Sequence, residues 1–127
     1  MRKAVLIALV ALFAPEVSPA AAAPELAGTS WVLASAGKRA PMIRFETDGN
    51  VGGFSGCNRF LGSYKQSGED LILSAMAATR MACPGNAMAV EQSFLDMLKK
   101  VAAARTEGGK LVLLDGAGNQ IARLSKK

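Results

Sequence analysis

Apolar and polar residues alternate in short runs along most of the chain, and turn-forming residues close each run. Thr29 to Ala34, centred on Trp31 and Leu33, reads as a first strand, and Ile43-Arg44-Phe45-Glu46 as a second. Asp48-Gly49 marks a tight hairpin from there into Val51 to Ser55, because the left-handed backbone of such turns is open to Gly and tolerable for Asp. Gly52-Gly53 weakens the return strand and signals a bulge or a close backbone approach. Gly62 to Gln66 pairs with Leu71 to Ser74 across Ser67-Gly68-Glu69-Asp70. Lys110 to Leu114 pairs with Gln120 to Leu124 across Asp115-Gly116-Ala117-Gly118-Asn119.

One segment changes period. Between Asn86 and about Ala103, Val90, Phe94, Met97, Leu98 and Val101 recur every three or four residues, the stripe of an amphipathic helix. Asn86 is placed to cap it with its side-chain oxygen. Glu91 sits towards the positive end of the helix dipole, Lys99 and Lys100 sit near the negative end, and Asp96 reaches both lysines at i+3 and i+4. The expected fold is α+β, mainly β: a small curled antiparallel sheet, barrel-like, with one helix packed across its open side.

An apolar leader precedes these elements. Arg2 and Lys3 are followed by an uninterrupted apolar run from Ala4 to Ala14, then by Pro15, Pro19 and Ala20 to Ala23. As a helix the run would span roughly 16 Å, against about 30 Å of bilayer hydrocarbon. It reads as a secretory signal, residues 1–23, cleaved near Ala22 or Ala23 where small residues suit the peptidase. Residues 24–127 are then one domain. No cysteine lies near the cut, so no lipid anchor is expected, and the protein should be periplasmic or secreted, without a stable membrane anchor. The whole chain carries +5. Without the leader, thirteen basic residues face nine acidic ones, a net +4.

That charge is scattered. Lys38-Arg39, Lys99-Lys100 and Lys126-Lys127 lie in different segments and have no interleaved aromatics, so nucleic acid is not an expected partner. The chain is expected to be monomeric. It contains no histidine, which removes the usual general base, the Ser-His and Cys-His couples and the commonest transition-metal ligand. Each acid has a structural duty in a turn or on the helix. Asp115-x-x-x-Asn119 lacks the repeated oxygen ligands of a calcium loop, and the glycines at 49, 52, 53 and 56 fit no phosphate-binding motif. No catalytic residue, metal site or cofactor is expected, and the chain is not expected to be an enzyme.

Cys57 and Cys83 are the only cysteines. A structural disulfide would close a loop of about 26 residues and stabilise by roughly 3–4 kcal/mol in the chain-entropy model. Cys83, followed by Pro84 and close to a helix start, could instead be a redox thiol. A two-cysteine metal site lacks further soft ligands. Export and the even count favour the disulfide.

Several segments share a pattern with a known family. These are Trp31-x-Leu33, Phe45-x-x-Asp48-Gly49-x-Val51-x-Gly53, Gly56-Cys57-Asn58-Arg59-Phe60-x-Gly62-x-Tyr64, Ala78-Thr79-Arg80-Met81-Ala82-Cys83, Glu91-x-x-Phe94-x-x-x-Leu98 and Leu111-x-Leu113. In this order, from about Leu26 to Leu124, the chain resembles the META domain, the family of the bacterial envelope heat-shock protein HslJ. The resemblance implies a small curled β-sheet with one helix. It also implies an envelope role linked to stress and novobiocin resistance, with no established enzymatic activity. Gly56 and Gly62 suit sharp backbone bends, Asn58 and Arg59 offer donors to irregular carbonyls, and Phe60 and Tyr64 add core bulk. If the domain has a binding site, Asn58, Arg59, Thr79 and Arg80 are its candidate residues, since the disulfide would bring their segments together. The expected function is a non-enzymatic envelope module that binds an envelope protein or small molecule. An inhibitor of a secreted or periplasmic hydrolase is the alternative, one disfavoured electrostatically against basic lysozymes.

Overall fold

The computed structural model describes residues 3–14, 22–34, 37 and 39–127. Arg2, Pro15, Glu16 and Pro19 to Ala21 of the leader, and Lys38 of the first loop, lie outside the described residues. Eight strands and one helix are present among them: β1 (Thr29–Val32), β2 (Met42–Phe45), β3 (Asn50–Phe54), β4 (Arg59–Ser67), β5 (Asp70–Ala78), α1 (Ala87–Lys100), β6 (Ala103–Glu107), β7 (Lys110–Leu114) and β8 (Gln120–Lys126). Each strand pairs antiparallel with the next, and β8 returns to β1 through Trp31↔Lys126 and Val32↔Ser125. The result is a closed, barrel-like ring, mainly β with one helix, as the alternation and the lone helical stripe require.

The turns form where the sequence marks them. Asp48 accepts the Asn50 amide at 3.0 Å, and Glu46 and Asn50 close the β2–β3 hairpin. Asp115 accepts from the amides of Ala117 and Asn119, which makes the β7–β8 connection a turn. Gly53 provides the close approach expected in β3: a Cβ there would lie 2.0 Å from the Met42 carbonyl oxygen on β2. Gly62 lies where the β4–β5 register shifts between Leu61 and Ser63, so β4 bends at that residue.

Strand alternation sends one set of side chains into the ring. Trp31, Ile43, Phe45, Val51, Phe60, Leu71, Leu111, Leu113 and Leu124 are buried there, together with Leu26 from the approach to β1. Phe94, Leu98 and Val101 from the helical segment join them, and Phe94 meets Phe60 at 5.9 Å between ring centroids. Each buried aliphatic or aromatic side chain contributes about 1.5–3 kcal/mol, so this cluster is the main source of stability.

Three expectations need correction or extension. The helix stops at Lys100 rather than near Ala103, because Val101 turns extended (φ −63°, ψ 126°) and the chain enters β6. Strand β6, Ala-Ala-Arg-Thr-Glu, has no apolar alternation to reveal it. It forms because β7 pairs along its whole length, while β5 meets it only at Asp70↔Ala103. Asn86 makes no side-chain capping bond: its φ of −89° and ψ of 7° leave the extended geometry that places a capping oxygen over the first-turn amides. Its carbonyl instead accepts the Val90 amide. Glu91 lies in the N-terminal half of the helix as expected, but it is a buried contact and more than a partner for the dipole. The first helical turn holds no acid, and Glu91 points inward, 7% exposed.

Candidate functional site

The two cysteine-bearing segments meet at one end of the ring. Cys57 and Cys83 are disulfide-bonded, with Cα atoms 5.9 Å apart. The bond ties the β3–β4 connection to the segment leading into α1. The backbone can come this close to the helix because residue 56 is glycine. Its φ is +113°, and a Cβ there would lie 2.9 Å from Val90 Cγ1 and 3.3 Å from the Glu91 amide nitrogen.

Beside the disulfide, Asn58 is 2% exposed and every polar atom of its side chain is bonded. Its Oδ1 accepts from the Met81 amide at 2.7 Å and from the Thr79 hydroxyl at 3.0 Å. Its Nδ2 donates to the Met81 carbonyl at 3.2 Å and to Glu91 Oε2 at 2.9 Å. The Asn58 amide and the Ser55 hydroxyl both donate to Glu91 Oε1. Three pieces of chain are thereby locked together: the β3–β4 connection, the strand end after β5, and the second turn of α1. Burial pushes the Glu91 carboxyl up, but the bonds from Ser55 and Asn58 outweigh it and hold the group below the ordinary glutamate value.

The four candidate binding residues therefore separate. Asn58 is interior, and its polar groups are engaged with the protein. Thr79 accepts the Arg59 amide at 3.2 Å and borders the outside. Arg59 is exposed, with no carboxylate at salt-bridge distance among the described residues. Arg80 is exposed and lies outside the cleft that Arg59 and Thr79 line.

That cleft, about 630 Å³, runs over the outer face of β2 to β5. The register explains it. Arg44, Gly52, Leu61 and Ala77 form one cross-strand row, and Met42, Phe54 and Arg59 form the next. Inward Ile43, Phe45 and Phe60 force their neighbours Arg44 and Leu61 outward, so Leu61 is 64% exposed. Gly52 leaves a floor without a side chain. Arg44, Phe54 and Leu61 were not singled out from the sequence. The parity of an apolar Leu61 next to core Phe60 hinted at them, but the register that assembles the row is not readable from one strand. A second, less polar groove of about 420 Å³ lies between α1 and β8, bordered by Phe94, Met97 and Ile121. Among the described residues, no group of three acidic or cysteine side chains is arranged to hold a metal.

A closed antiparallel ring with one helix, locked by a disulfide and a buried Glu–Asn cluster, defines a small β-domain whose deepest polar residues are used for holding the fold. The chain belongs to the META domain family, whose sequence pattern matches residues 24–127. It is similar to a protein from Burkholderia xenovorans solved by NMR, at 23% identity and a TM-score of 0.67, covering 80% of this chain and 83% of that one. A second NMR structure matches at 26% identity and a TM-score of 0.61, over 79% and 90% of the two chains. A DUF4847 family protein from Bacteroides vulgatus shares the fold at 12% identity, with a TM-score of 0.59 over 80% and 94%. No curated protein matches the chain.

Proposed function

We propose that this META domain protein is a non-enzymatic envelope protein of the HslJ type, exported after removal of residues 1–23, which acts by binding during stress or drug exposure. The observation that carries the binding role is the outer cleft of β2 to β5, which two guanidiniums line and no carboxylate does. Glu91, buried beside the disulfide, is tied up by Asn58 and by the Ser55 hydroxyl, and Ser55 is itself fully buried, out of reach of a substrate. For export, the Cys57–Cys83 bond suits an oxidising compartment. Apolar residues 5–13 of the leader stay exposed and do not join the core. No helix of the described residues is long and apolar enough to cross a membrane.

The test is capture from envelope extracts of heat-shocked and unstressed cells, with the processed protein and an Arg44→Gln/Arg59→Gln variant as paired baits. Stress-dependent capture that the variant loses supports the reading. Equal capture by both baits, or recovery of the native protein as a reduced cytoplasmic species, overturns it.

A further inference from the structure

We infer that the outer cleft of β2 to β5 binds a small amphiphilic organic carboxylate, a free molecule with one anionic end and an apolar body. The inference rests on the binding role proposed above and names its ligand class.

Charge comes first. Arg44 and Arg59 project from strands two positions apart in the sheet, roughly 10 Å at the usual strand spacing. Their long side chains can therefore both address a ligand lying over β3. Arg44 is already paired with Glu46, which leaves Arg59 as the lining cation without a carboxylate partner among the described residues. The planar fork of a guanidinium meets both oxygens of a carboxylate at once. Arg39 reinforces the positive field at this end, its guanidinium 5.7 Å from the centre of the Phe54 ring, and so does Lys127, whose Nζ lies 3.6 Å from Met42 Sδ.

Shape comes second. Gly52 gives the cleft its floor, and a Cβ there would stand 3.0 Å from the Phe60 carbonyl oxygen and 3.4 Å from Leu61 Cδ1. Even alanine would crowd the Phe60 carbonyl. Met42, Phe54 and Leu61 supply an apolar flank, and covering Leu61 removes from water a leucine that is 64% exposed. The volume, about 630 Å³, falls within the range of small-molecule sites. A face meant for a flat membrane surface needs protruding apolar side chains, and a glycine-floored depression suits a compact ligand instead.

The probe is sodium decanoate, kept below its micelle concentration and titrated into the processed protein recovered from expressing cells. Calorimetry and backbone-amide NMR provide the readouts. The expected result is saturable one-to-one binding, with shifts concentrated at residues 42–44, 52–54, 59–61 and 77–79. Arg59→Gln should weaken binding at least tenfold, and Ala77→Trp, at an exposed position in the same row, should block it. Both variants should keep the wild-type melting temperature. Decyltrimethylammonium, of equal length and opposite charge, should not bind.

Any of four results overturns the inference: no saturable decanoate binding, equal binding of the cation, wild-type affinity in Arg59→Gln, or shifts confined to the groove between α1 and β8. Binding to phosphatidylglycerol vesicles without binding of free decanoate also overturns it, in favour of a lipid surface. If decanoate fails while stress-dependent capture persists, the ligand class falls and the binding role stands. If both fail, both fall.

Discussion

At the scale of single residues, Glu91 and Asn58 stand out because each is bonded to elements far away in sequence. Glu91 receives three donors, and removing it leaves the Asn58 amide buried with no acceptor, while Asn58 Nδ2 keeps the Met81 carbonyl and the Ser55 hydroxyl keeps the Asn58 carbonyl. Glu91→Ala should destabilise by about 2–4 kcal/mol and lower the melting temperature by roughly 10 °C or more, measured by circular dichroism at neutral pH. Glu91→Gln should be milder, since its oxygen still serves Ser55 and the Asn58 amide while its amide group faces Asn58 Nδ2 donor to donor. The pH dependence has a definite sign. Folding lowers the Glu91 pKa, so its contribution is complete above the unfolded glutamate value and disappears as pH falls through the lower, folded value. Acid unfolding of the wild type should steepen below the ordinary carboxylate range, and Glu91→Gln should flatten that slope. Parallel curves for the two proteins would refute the assignment. Arg59→Ala, by contrast, removes an exposed guanidinium and should leave the melting temperature unchanged, whereas Asn58→Ala should lower it as much as Glu91→Ala does.

At the scale of elements, the helix is attached to the ring by one apolar stripe and one polar contact, and both depend on how closely the β3–β4 connection approaches it. Gly56 sets that approach. Gly56→Val would combine a strained positive φ with a clash against Val90 and the Glu91 amide, lifting the helix N-terminal half off the ring. The expected result is a cooperative loss of stability together with faster hydrogen exchange in the first two turns of α1. Protection in β7 and β8, which pair with each other through five register positions, should persist longest. Unchanged exchange in α1 would show that the close approach is not what seats the helix. The Phe60–Phe94 contact acts at the same seam, so Phe94→Ala should produce a related phenotype by opening a cavity, at about 3–5 kcal/mol.

At the scale of the whole molecule, the ring closes through few contacts. The β5–β6 join has a single register pair and β8–β1 has two, so the chain needs a crosslink more than a sheet with long seams would. The Cys57–Cys83 bond spans 26 residues of sequence and joins the chain just before β4 to the chain between β5 and α1, across the open end of the β4–β5 hairpin. Replacing both cysteines by alanine should lower stability by about 3 kcal/mol. Intact mass after alkylation, with and without prior reduction, checks the bond directly: two alkylatable thiols in the unreduced native protein would refute it. A second whole-molecule prediction concerns the leader. Cell fractionation should recover the protein without residues 1–23 in the soluble envelope fraction. Recovery only in detergent extracts, with the leader retained, would contradict release.

Local chemistry was enough to place seven of the eight strands, the hairpin turns and the helical stripe. Period-two alternation, Asp-Gly and Gly-rich turns and three- to four-residue apolar spacing act over a few residues and need no partner to be recognised. The cysteine pairing followed from the even count and from the export that the leader led one to expect. Strand β6 escaped because Ala-Ala-Arg-Thr-Glu has no side-chain period of its own, and its conformation is imposed by hydrogen bonding to β7. The buried role of Glu91 was missed because a glutamate near a helix start looks like a partner for the dipole, and only the folded chain brings Ser55 and Asn58 beneath it. The candidate site divided for the same reason. Asn58 and Arg59 are adjacent in sequence, but alternation across the ring wall turns one into the polar lock and the other onto the outer face. Which residues stand beside Arg59 there is a matter of cross-strand register, and register is decided when the ring closes.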